Sequence, residues 1–184
     1  LELQANTDSL TGLDSRAHFL DVAGKELARL RRHPTPMALV MLDLDHFKRI
    51  NDNHGHAAGD TVLRQVALAC QNALRQFDLL GRIGGEEFIA LLQPTDPASA
   101  QATLDRFRRD IEETVFSRVG HVTVSVGFSR LLPNDTPTDV IDRADEALYY
   151  AKHNGRNRVD CYESLIESGA LKAKEIVKGE VELF

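Results

Sequence analysis

Two acidic side chains follow two glycines in the run Gly84-Gly85-Glu86-Glu87-Phe88. Apolar stretches flank this run at residues 79–83 and 88–92, and two apolar stretches joined at Gly-Gly predict a β-hairpin. Primed hairpin turns need a positive φ, which glycine adopts without steric cost, so we expect the two glycines to form the turn. The predicted tip presents two carboxylates on an unobstructed backbone, and this suits magnesium and phosphate better than it suits a structural role.

A second pair of acids, Asp43 and Asp45, ends the apolar run 37–42, which is short enough to be a buried strand. Side chains alternate along a strand, so both carboxylates should project to the same face. Buried carboxylates are costly without a cation, and Mg²⁺ prefers oxygen ligands. The alternative for Asp45 is a helix N-cap, and the alternative for Glu86 and Glu87 is a solvated turn. Two acid clusters at strand ends favour a shared metal site.

A polar stretch from His46 to Gly59 follows the first acid pair and is rich in hydrogen-bond donors and acceptors. It contains Asn51, and Asp60 comes directly after it. An amide and a carboxylate together can read guanine, because the carboxylate accepts from the ring N–H and the exocyclic amine while the amide pairs with an acceptor edge. By itself the Asn, Asp and Gly content predicts a loop.

The rest of the chain predicts the elements that position these residues. Helices are predicted over residues 15–32, 60–76, 97 to about 115, 136–153 and 163–178, and further strands over 122–128, with one buried face, and 158–162. Strands and helices alternate irregularly and include a hairpin. This order predicts an α/β (α+β) fold with a central mixed, mainly antiparallel sheet flanked by helices, rather than a purely parallel sheet.

Composition limits the classes of function. The 184 residues suit one domain with at most a short appendage, and the net charge of −6 argues against a nucleic-acid partner but not against a nucleotide substrate. Cys70 and Cys161 lack metal-ligand spacing and are expected to be reduced thiols in a cytoplasmic protein. No apolar run approaches the roughly 20 residues of a membrane span, so no membrane contact is expected. Because the chain begins at Leu1 rather than Met, we expect a fragment of a longer protein, which could be anchored upstream.

Five motifs occur in a fixed order along the chain. They are Asp8-x-Leu10-Thr11-Gly12-Leu13, Asp43-x-Asp45-x-Phe47-Lys48-x-x-Asn51-Asp52, Gly55-His56-x-x-Gly59-Asp60, Gly84-Gly85-Glu86-Glu87-Phe88 and Ala144-Asp145-x-Ala147-Leu148-Tyr149-x-Ala151-Lys152. Together they resemble the GGDEF domain of diguanylate cyclases, a family of bacterial signalling enzymes. The resemblance implies a cyclase domain over residues 1–162, a helical extension over 163–184, and a fold like that of nucleotide cyclases and polymerase palms. The extension could be a natural terminus or lead to another domain.

The family joins two GTP molecules into cyclic di-GMP and releases two pyrophosphates. The resemblance implies that Mg²⁺, or Mn²⁺ in its place, is held by Asp43, the carbonyl of Leu44 and one or both of Glu86 and Glu87. It implies that Glu86 is the base that takes the proton from the attacking 3′-hydroxyl and that Lys48 stabilises charge on the phosphates. Substrate contacts are implied for Asn51, His56, Asp60, Gly84, Gly85, Lys152 and Arg156. Without the resemblance, Lys152 and Arg156 are equally well explained as cations near a helix C-terminus.

An Arg75-x-x-Asp78 pair lies just upstream of the glycines and by itself is typical of a surface ion pair. In this family such a pair resembles the inhibitory site for the product. Arg75 would clamp phosphate and stack on guanine, and Asp78 would accept from the base. The sequence departs from the family pattern at Glu86, which stands in place of Asp, and at Leu13-Asp14-Ser15-Arg16, which replaces Leu-x-Asn-Arg and puts a local turn contact in question.

One domain offers one nucleotide site, so the resemblance implies a transient antiparallel homodimer in which each subunit holds one GTP. Two other functions stay open. One is a GGDEF domain that binds GTP or cyclic di-GMP as a receptor without turnover, and the other is a nucleotide cyclase that makes a cyclic mononucleotide.

Overall fold

The computed structural model describes residues 5–74 and 78–173, and these residues form a six-stranded sheet with helices on both faces. The strands are β1 (Asp14–Ser15), β2 (Ala38–Leu44), β3 (Leu79–Gly84), β4 (Glu87–Leu92), β5 (Val124–Arg130) and β6 (Val159–Cys161). The helices are α1 (Arg16–Arg32), α2 (Phe47–His54), α3 (His56–Ala73), α4 (Pro97–Glu113), α5 (Pro137–His153) and α6 (Tyr162–Glu167).

The strands lie in the order β1-β3-β4-β2-β5-β6. The three inner pairings are antiparallel, while the edge pairs β1 with β3 and β5 with β6 are parallel. The predicted mixed, mainly antiparallel sheet is therefore confirmed. No helix in the described parts of the chain combines the length and apolar character that crossing a membrane requires.

The two central strands are covered on both faces. Even-numbered residues of β2 join the apolar layer under α2, α3 and α4, and odd-numbered residues join the layer under α1 and α5. The prediction that the strand around residues 122–128 has one buried face is wrong, because Ser125 and Gly127 are buried as well. At Gly127 an added Cβ would stand 2.1 Å from the backbone nitrogen of Leu148, so glycine permits the close contact of β5 with α5.

Predicted helix starts are confirmed by their caps. The Asp96 side chain accepts from Ser99 N at 2.7 Å, and Thr136 with Asp139 forms a reciprocal capping box. Ser15 stands where the family pattern has Asn, and its hydroxyl accepts from the backbone nitrogen of His18 at 3.2 Å. The departure at this position therefore keeps a helix cap.

The prediction of a loop between His46 and Gly59 is wrong. Residues 47–54 form α2, and α3 begins at His56 rather than at Asp60. Phe47 and Ile50 are buried, and these two apolar side chains hold an otherwise polar helix on the core. The predicted helix over 163–178 is also shorter, because α6 ends at Glu167 and residues beyond 173 lie outside the described ranges.

Candidate functional site

The Gly-Gly hairpin has a different turn from the predicted one. β3 and β4 pair as expected, and Gly84 is the register partner of Glu87, so Gly85 and Glu86 form the connection. Neither glycine has a positive φ, so the prediction of a primed turn is wrong. The pairing instead shifts its register between Arg82 and Gly84, and such an irregularity supplies the twist that a primed turn would give. A Cβ added at either glycine would meet nothing within 4 Å, so the tip is open, as predicted.

Arg82 ties this tip to the start of the chain. Its Nε and Nη2 donate to the carbonyl of Gly85 at 3.2 and 2.7 Å, and its Nη1 donates to both carboxylate oxygens of Asp8 at 3.2 Å. The Asp8 carboxylate also accepts from the backbone and hydroxyl of Thr11. Burial by itself raises the pKa of Asp8, but the hydrogen bonds from Thr11 and Arg82 outweigh it and hold that pKa below its ordinary value. This positioning role was missed, because nothing in the spacing of Asp8 and Arg82 links them.

The two acid clusters meet across the sheet. Asp43 in β2 is the register partner of Glu87 in β4, so their side chains leave the sheet on the same face. The backbone nitrogen of Leu44 donates to the carbonyl of Glu86 at 3.3 Å, which brings the tip next to the end of β2. Asp43 is 4% exposed. The structure therefore places Asp43, Leu44, Glu86 and Glu87 together at one end of the sheet.

The charge of Asp43 is balanced by Lys152. The pKa of Asp43 is raised to about 6, mainly by burial and to a smaller extent by the nearby Glu86 and Glu87 charges, while the hydrogen bond and charge of Lys152 oppose the rise. Lys152, in the last turn of α5, makes an ion pair and hydrogen bond with Asp43 Oδ2. Its predicted partner was a phosphate, so Asp43 is a contact that sequence reasoning did not find. Arg156 lies just beyond α5 with its side chain exposed.

The donor chemistry of this cluster fits a hard cation. Three carboxylates act on one another and face a single ammonium, so negative charge is left for a cation to offset. The cluster is not closed around a point: within residues 5–74 and 78–173, no group of three or more His, Cys, Asp or Glu side chains is arranged as a ready-made metal site. Asp43, Glu86 and Glu87 would hold Mg²⁺ only together with oxygens from outside this group, such as the Leu44 carbonyl and phosphate.

The Asp45 carboxylate accepts three hydrogen bonds from other parts of the chain and does not cap a helix. Its carboxylate accepts from Thr123 Oγ1 at 2.7 Å, Ser125 Oγ at 2.6 Å and the backbone nitrogen of Asn157 at 3.0 Å. The N-cap of α2 is His46, which makes no capping bond with its side chain, so the cap interpretation of Asp45 is wrong. Asp45 instead fixes the ends of β2 and β5 to the chain segment that follows α5.

Helices α2 and α3 present the candidate base-reading residues. Asn51 Oδ1 is buried and is the single buried side-chain N or O atom in the described residues that lacks a hydrogen-bond partner. A Cβ at Gly59 would stand 1.9 Å from that oxygen, so the glycine makes room for the amide. Asp60 is half-buried in the first turns of α3, whereas His56 and Lys48 are exposed. A buried acceptor without a partner is costly, and a ligand that donates to it removes the cost.

Residues 5–158 match the family model described as diguanylate cyclase, GGDEF domain. The chain belongs to the GGDEF domain family. It is 42% identical over 160 residues to diguanylate cyclase DgcP of Pseudomonas aeruginosa. The aligned residues make up 85% of this chain and 24% of DgcP. The chain is 39% identical over 166 residues to the response regulator PleD of Caulobacter vibrioides, covering 86% and 36% respectively. The chain thus spans well under half the length of these two relatives.

Solved GGDEF domains share the fold. The GGDEF domain of DgcB from Caulobacter crescentus, solved in complex with c-di-GMP, superimposes with a TM-score of 0.84 at 35% identity and covers 89% of this chain and 99% of that one. The active GGEEF domain of a diguanylate cyclase from Vibrio cholerae superimposes with a TM-score of 0.77 at 35% identity, covering 80% and 96%. That second domain has the same Glu in the third motif position as this GGDEF domain.

The second half of the predicted inhibitory pair lies beside a small cavity. In this GGDEF domain Asp78 Oδ1 accepts from the backbone nitrogen of Gln93 at 2.9 Å. Asp78, Gln93, Thr103 and Arg106 line a cavity of about 100 Å³. Arg75 lies outside the described residues, so the predicted pairing of Arg75 with Asp78 stays a prediction. Arg106 is a cation in this cavity that the sequence analysis did not select.

Proposed function

We propose that this chain is a diguanylate cyclase domain that condenses two GTP molecules into cyclic di-GMP and releases two pyrophosphates. The observation that carries the proposal is the register that sets Asp43 opposite Glu87, with Glu86 beside them at an open glycine tip. Phosphoryl transfer depends on positioning and charge neutralisation, and a cluster of acids next to unobstructed backbone supplies both. Membership of the GGDEF family and the names of its relatives support the same reaction.

Each residue of the cluster has a proposed task. Asp43, the Leu44 carbonyl, Glu86 and Glu87 would hold Mg²⁺, or Mn²⁺ in its place, which neutralises phosphate charge and acidifies the attacking hydroxyl. Glu86, at the end of the hairpin, takes the proton from the 3′-hydroxyl. The open backbone at Gly84 and Gly85 lets phosphate oxygens approach closely.

Helices α2 and α3 would bind the base of the nucleotide. The amide of Asn51, whose oxygen lacks a partner, and the carboxylate of Asp60 read the guanine edge, and His56 lines the same site. Lys48 is exposed on α2, and Lys152 and Arg156 lie at the far end of α5, so they can bring positive charge to the phosphates. Two such domains face each other as a transient antiparallel homodimer, because a single nucleotide site cannot supply both GTP molecules.

Incubation of the chain with GTP and Mg²⁺, with the product identified by mass, tests the proposal. We expect cyclic di-GMP, a rate per subunit that rises with protein concentration, and loss of product in Glu86→Ala with the fold retained. Glu113→Ala, at an exposed acid on α4, is the matched control and should leave the rate unchanged. Bound GTP without product at high protein concentration would indicate a receptor, and a cyclic mononucleotide would indicate a different cyclase.

Product feedback is a separate part of the proposal. Cyclic di-GMP would bind at Arg75 and Asp78 and lower the rate of its own synthesis. Its support is the spacing of the two residues and the cavity that Asp78 lines together with the cation Arg106. Arg75→Ala should remove inhibition by added cyclic di-GMP, and unchanged inhibition would overturn this assignment. We place the reaction in the cytoplasm, where a GTP-consuming domain meets its substrate.

A further inference from the structure

A polar cavity of about 270 Å³ lies between α2 and the segment that leads into β5. His46, the N-cap of α2, lines it together with Arg49, Asn53 and His54 of the helix. His46, Arg49 and Asn53 fall on one face of the helix because they are spaced by three and four positions. Asn51 lies on a different face of α2, the one that meets Gly59 of α3. Neither Asn51 nor Asp60 lines the cavity, which is therefore a pocket distinct from the candidate guanine site.

The polar lining of this cavity is dominated by cationic and donor groups. Arg49 and three imidazoles, those of His46, His54 and His121, surround it. His121 Nδ1 lies 3.0 Å from the carbonyl of Glu112 and donates to it, which leaves Nε2 for a ligand. That nitrogen accepts from a protonated phosphate when the ring is neutral and donates when the ring is an imidazolium.

The carboxylates of Asp45 and Glu112, which lie near the cavity, already accept hydrogen bonds from the protein. Among the described residues, Asp45 is the one carboxylate that lines the cavity; it is 5% exposed and accepts three hydrogen bonds from the protein. The carboxylate of Glu112 is held by Arg108 Nη1 and Asn157 Nδ2, both at 2.9 Å. Neither acid has to be displaced for an anion to approach Arg49. Asp52, three positions after Arg49 on α2, is exposed and is not part of the lining, so the lining itself favours negative ligands although the whole chain carries a net charge of −6.

The volume of the cavity limits the size of the ligand that it can hold. A water molecule occupies about 30 Å³ of liquid, so the cavity has room for a group of several heavy atoms. It lies just below the range of roughly 300–1,000 Å³ that drug-sized ligands fill. We propose that this cavity is a second anion site, separate from the nucleotide site, and that it binds a small phosphorylated anion through Arg49 and the three histidines. Free phosphates and the terminal phosphates of a nucleotide share this chemistry.

Histidine ring resonances provide the test, because the chain has seven histidines. The full chain, without GTP or added metal and at one fixed pH, is titrated with sodium pyrophosphate and, in a second arm, with ADP. Single His→Gln variants assign each resonance. We expect His46, His54 and His121 to shift along one saturable curve while His18 and His33 stay in place. Movement of His56 would report the nucleotide site instead.

Arg49→Gln should weaken this binding by about tenfold or more, because a charged donor is lost. Arg32→Gln, at an exposed residue of α1 on the other face of the sheet, is the control and should bind as the unmodified chain does. Tighter binding of ADP than of pyrophosphate would identify a nucleotide as the ligand, and equal binding would identify a free phosphate anion. The proposal is overturned if neither probe saturates the three resonances, or if Arg49→Gln binds as tightly as Arg32→Gln. Since no turnover is measured, these outcomes do not depend on the cyclase activity.

Discussion

The fit of Gly59 against Asn51 leads to a substitution that should damage nucleotide binding while sparing the fold. In Gly59→Ala the new Cβ would stand 1.9 Å from Asn51 Oδ1, 3.0 Å from its Cγ and 3.1 Å from Phe47 Cζ. Ordinary van der Waals contact begins at 3.4 Å, so the amide oxygen must move by roughly 1.5 Å. The clashing atom lies at the end of the Asn51 side chain, and the amide group can rotate away without moving the helix backbone.

The cost should therefore appear in GTP binding. Displacing the Asn51 amide removes the hydrogen bonds to the base that we propose for it, and a buried polar group that loses its partner costs about 1–3 kcal/mol. The dissociation constant for GTP should rise about 5- to 150-fold. Alanine also favours a helix over glycine by about 1 kcal/mol, which offsets part of the clash. The unfolding midpoint should stay within a few degrees of that of the unmodified chain.

Calorimetric titration with a GTP analogue that cannot react, together with thermal unfolding, measures both effects. Gly24→Ala is the matched control, because Gly24 also lies in a helix and a Cβ there meets nothing within 4 Å. It should bind GTP normally and unfold at the same or a slightly higher temperature. Normal GTP affinity in Gly59→Ala would refute the assignment of Asn51 to the base. A large loss of stability would refute the view that only a side chain has to move.

Three further predictions concern the packing of α5 on β5, the hydrogen bonds of a buried carboxylate and the pH dependence of stability. Gly127→Ala places a Cβ 2.1 Å from backbone of α5, so the free energy of unfolding should fall by about 3 kcal/mol or more in urea titrations; an unchanged midpoint would contradict the packing argument. Asp45→Asn should cost about 1–3 kcal/mol in the same assay, because the neutral amide keeps one acceptor oxygen for Thr123 and Asn157 while its NH2 group faces the hydroxyl of Ser125, and full stability would show that the charge and the lost hydrogen bond are dispensable. Because the folded pKa of Asp8 is lowered, its contribution to stability is present above its unfolded pKa of about 3.9 and is lost as pH falls through the lower folded value. Asp8→Asn should thus weaken the acid dependence of unfolding and slow turnover by loosening the hairpin tip, and an identical pH profile would argue against the tether.

The acids of the site could be predicted from the sequence because strands and hairpins have local signals. The apolar run before Asp43 and the Gly-Gly between two apolar stretches each identify a strand end. Their proximity could not be derived in the same way. β2 pairs with β4 and β5, which follow it at a distance in the chain, so the register that sets Asp43 opposite Glu87 depends on the sheet as a whole.

Other features had no local signal or a misleading one. α2 is polar except for Phe47 and Ile50, so composition predicted a loop where two buried side chains are enough to hold a helix. The link from Arg82 to Asp8 joins residues 74 positions apart. The alternation around Ser125 predicted an exposed face, whereas the small side chains on that face are covered by α5 or bonded to Asp45.

The charge state of Asp43 depends on Gly127, a residue without a side chain. Asp43 is 4% exposed and lies opposite Glu87 across the strands, and its pKa is raised to about 6 even with Lys152 beside it. Lys152 opposes this rise, and its ammonium reaches Asp43 only because α5 lies directly on β5. That approach is possible because Gly127 lets the backbone of α5 come within a distance that any Cβ would block. A glycine in the middle of a strand therefore determines how readily an acid at the end of the neighbouring strand carries the charge that the proposed chemistry requires.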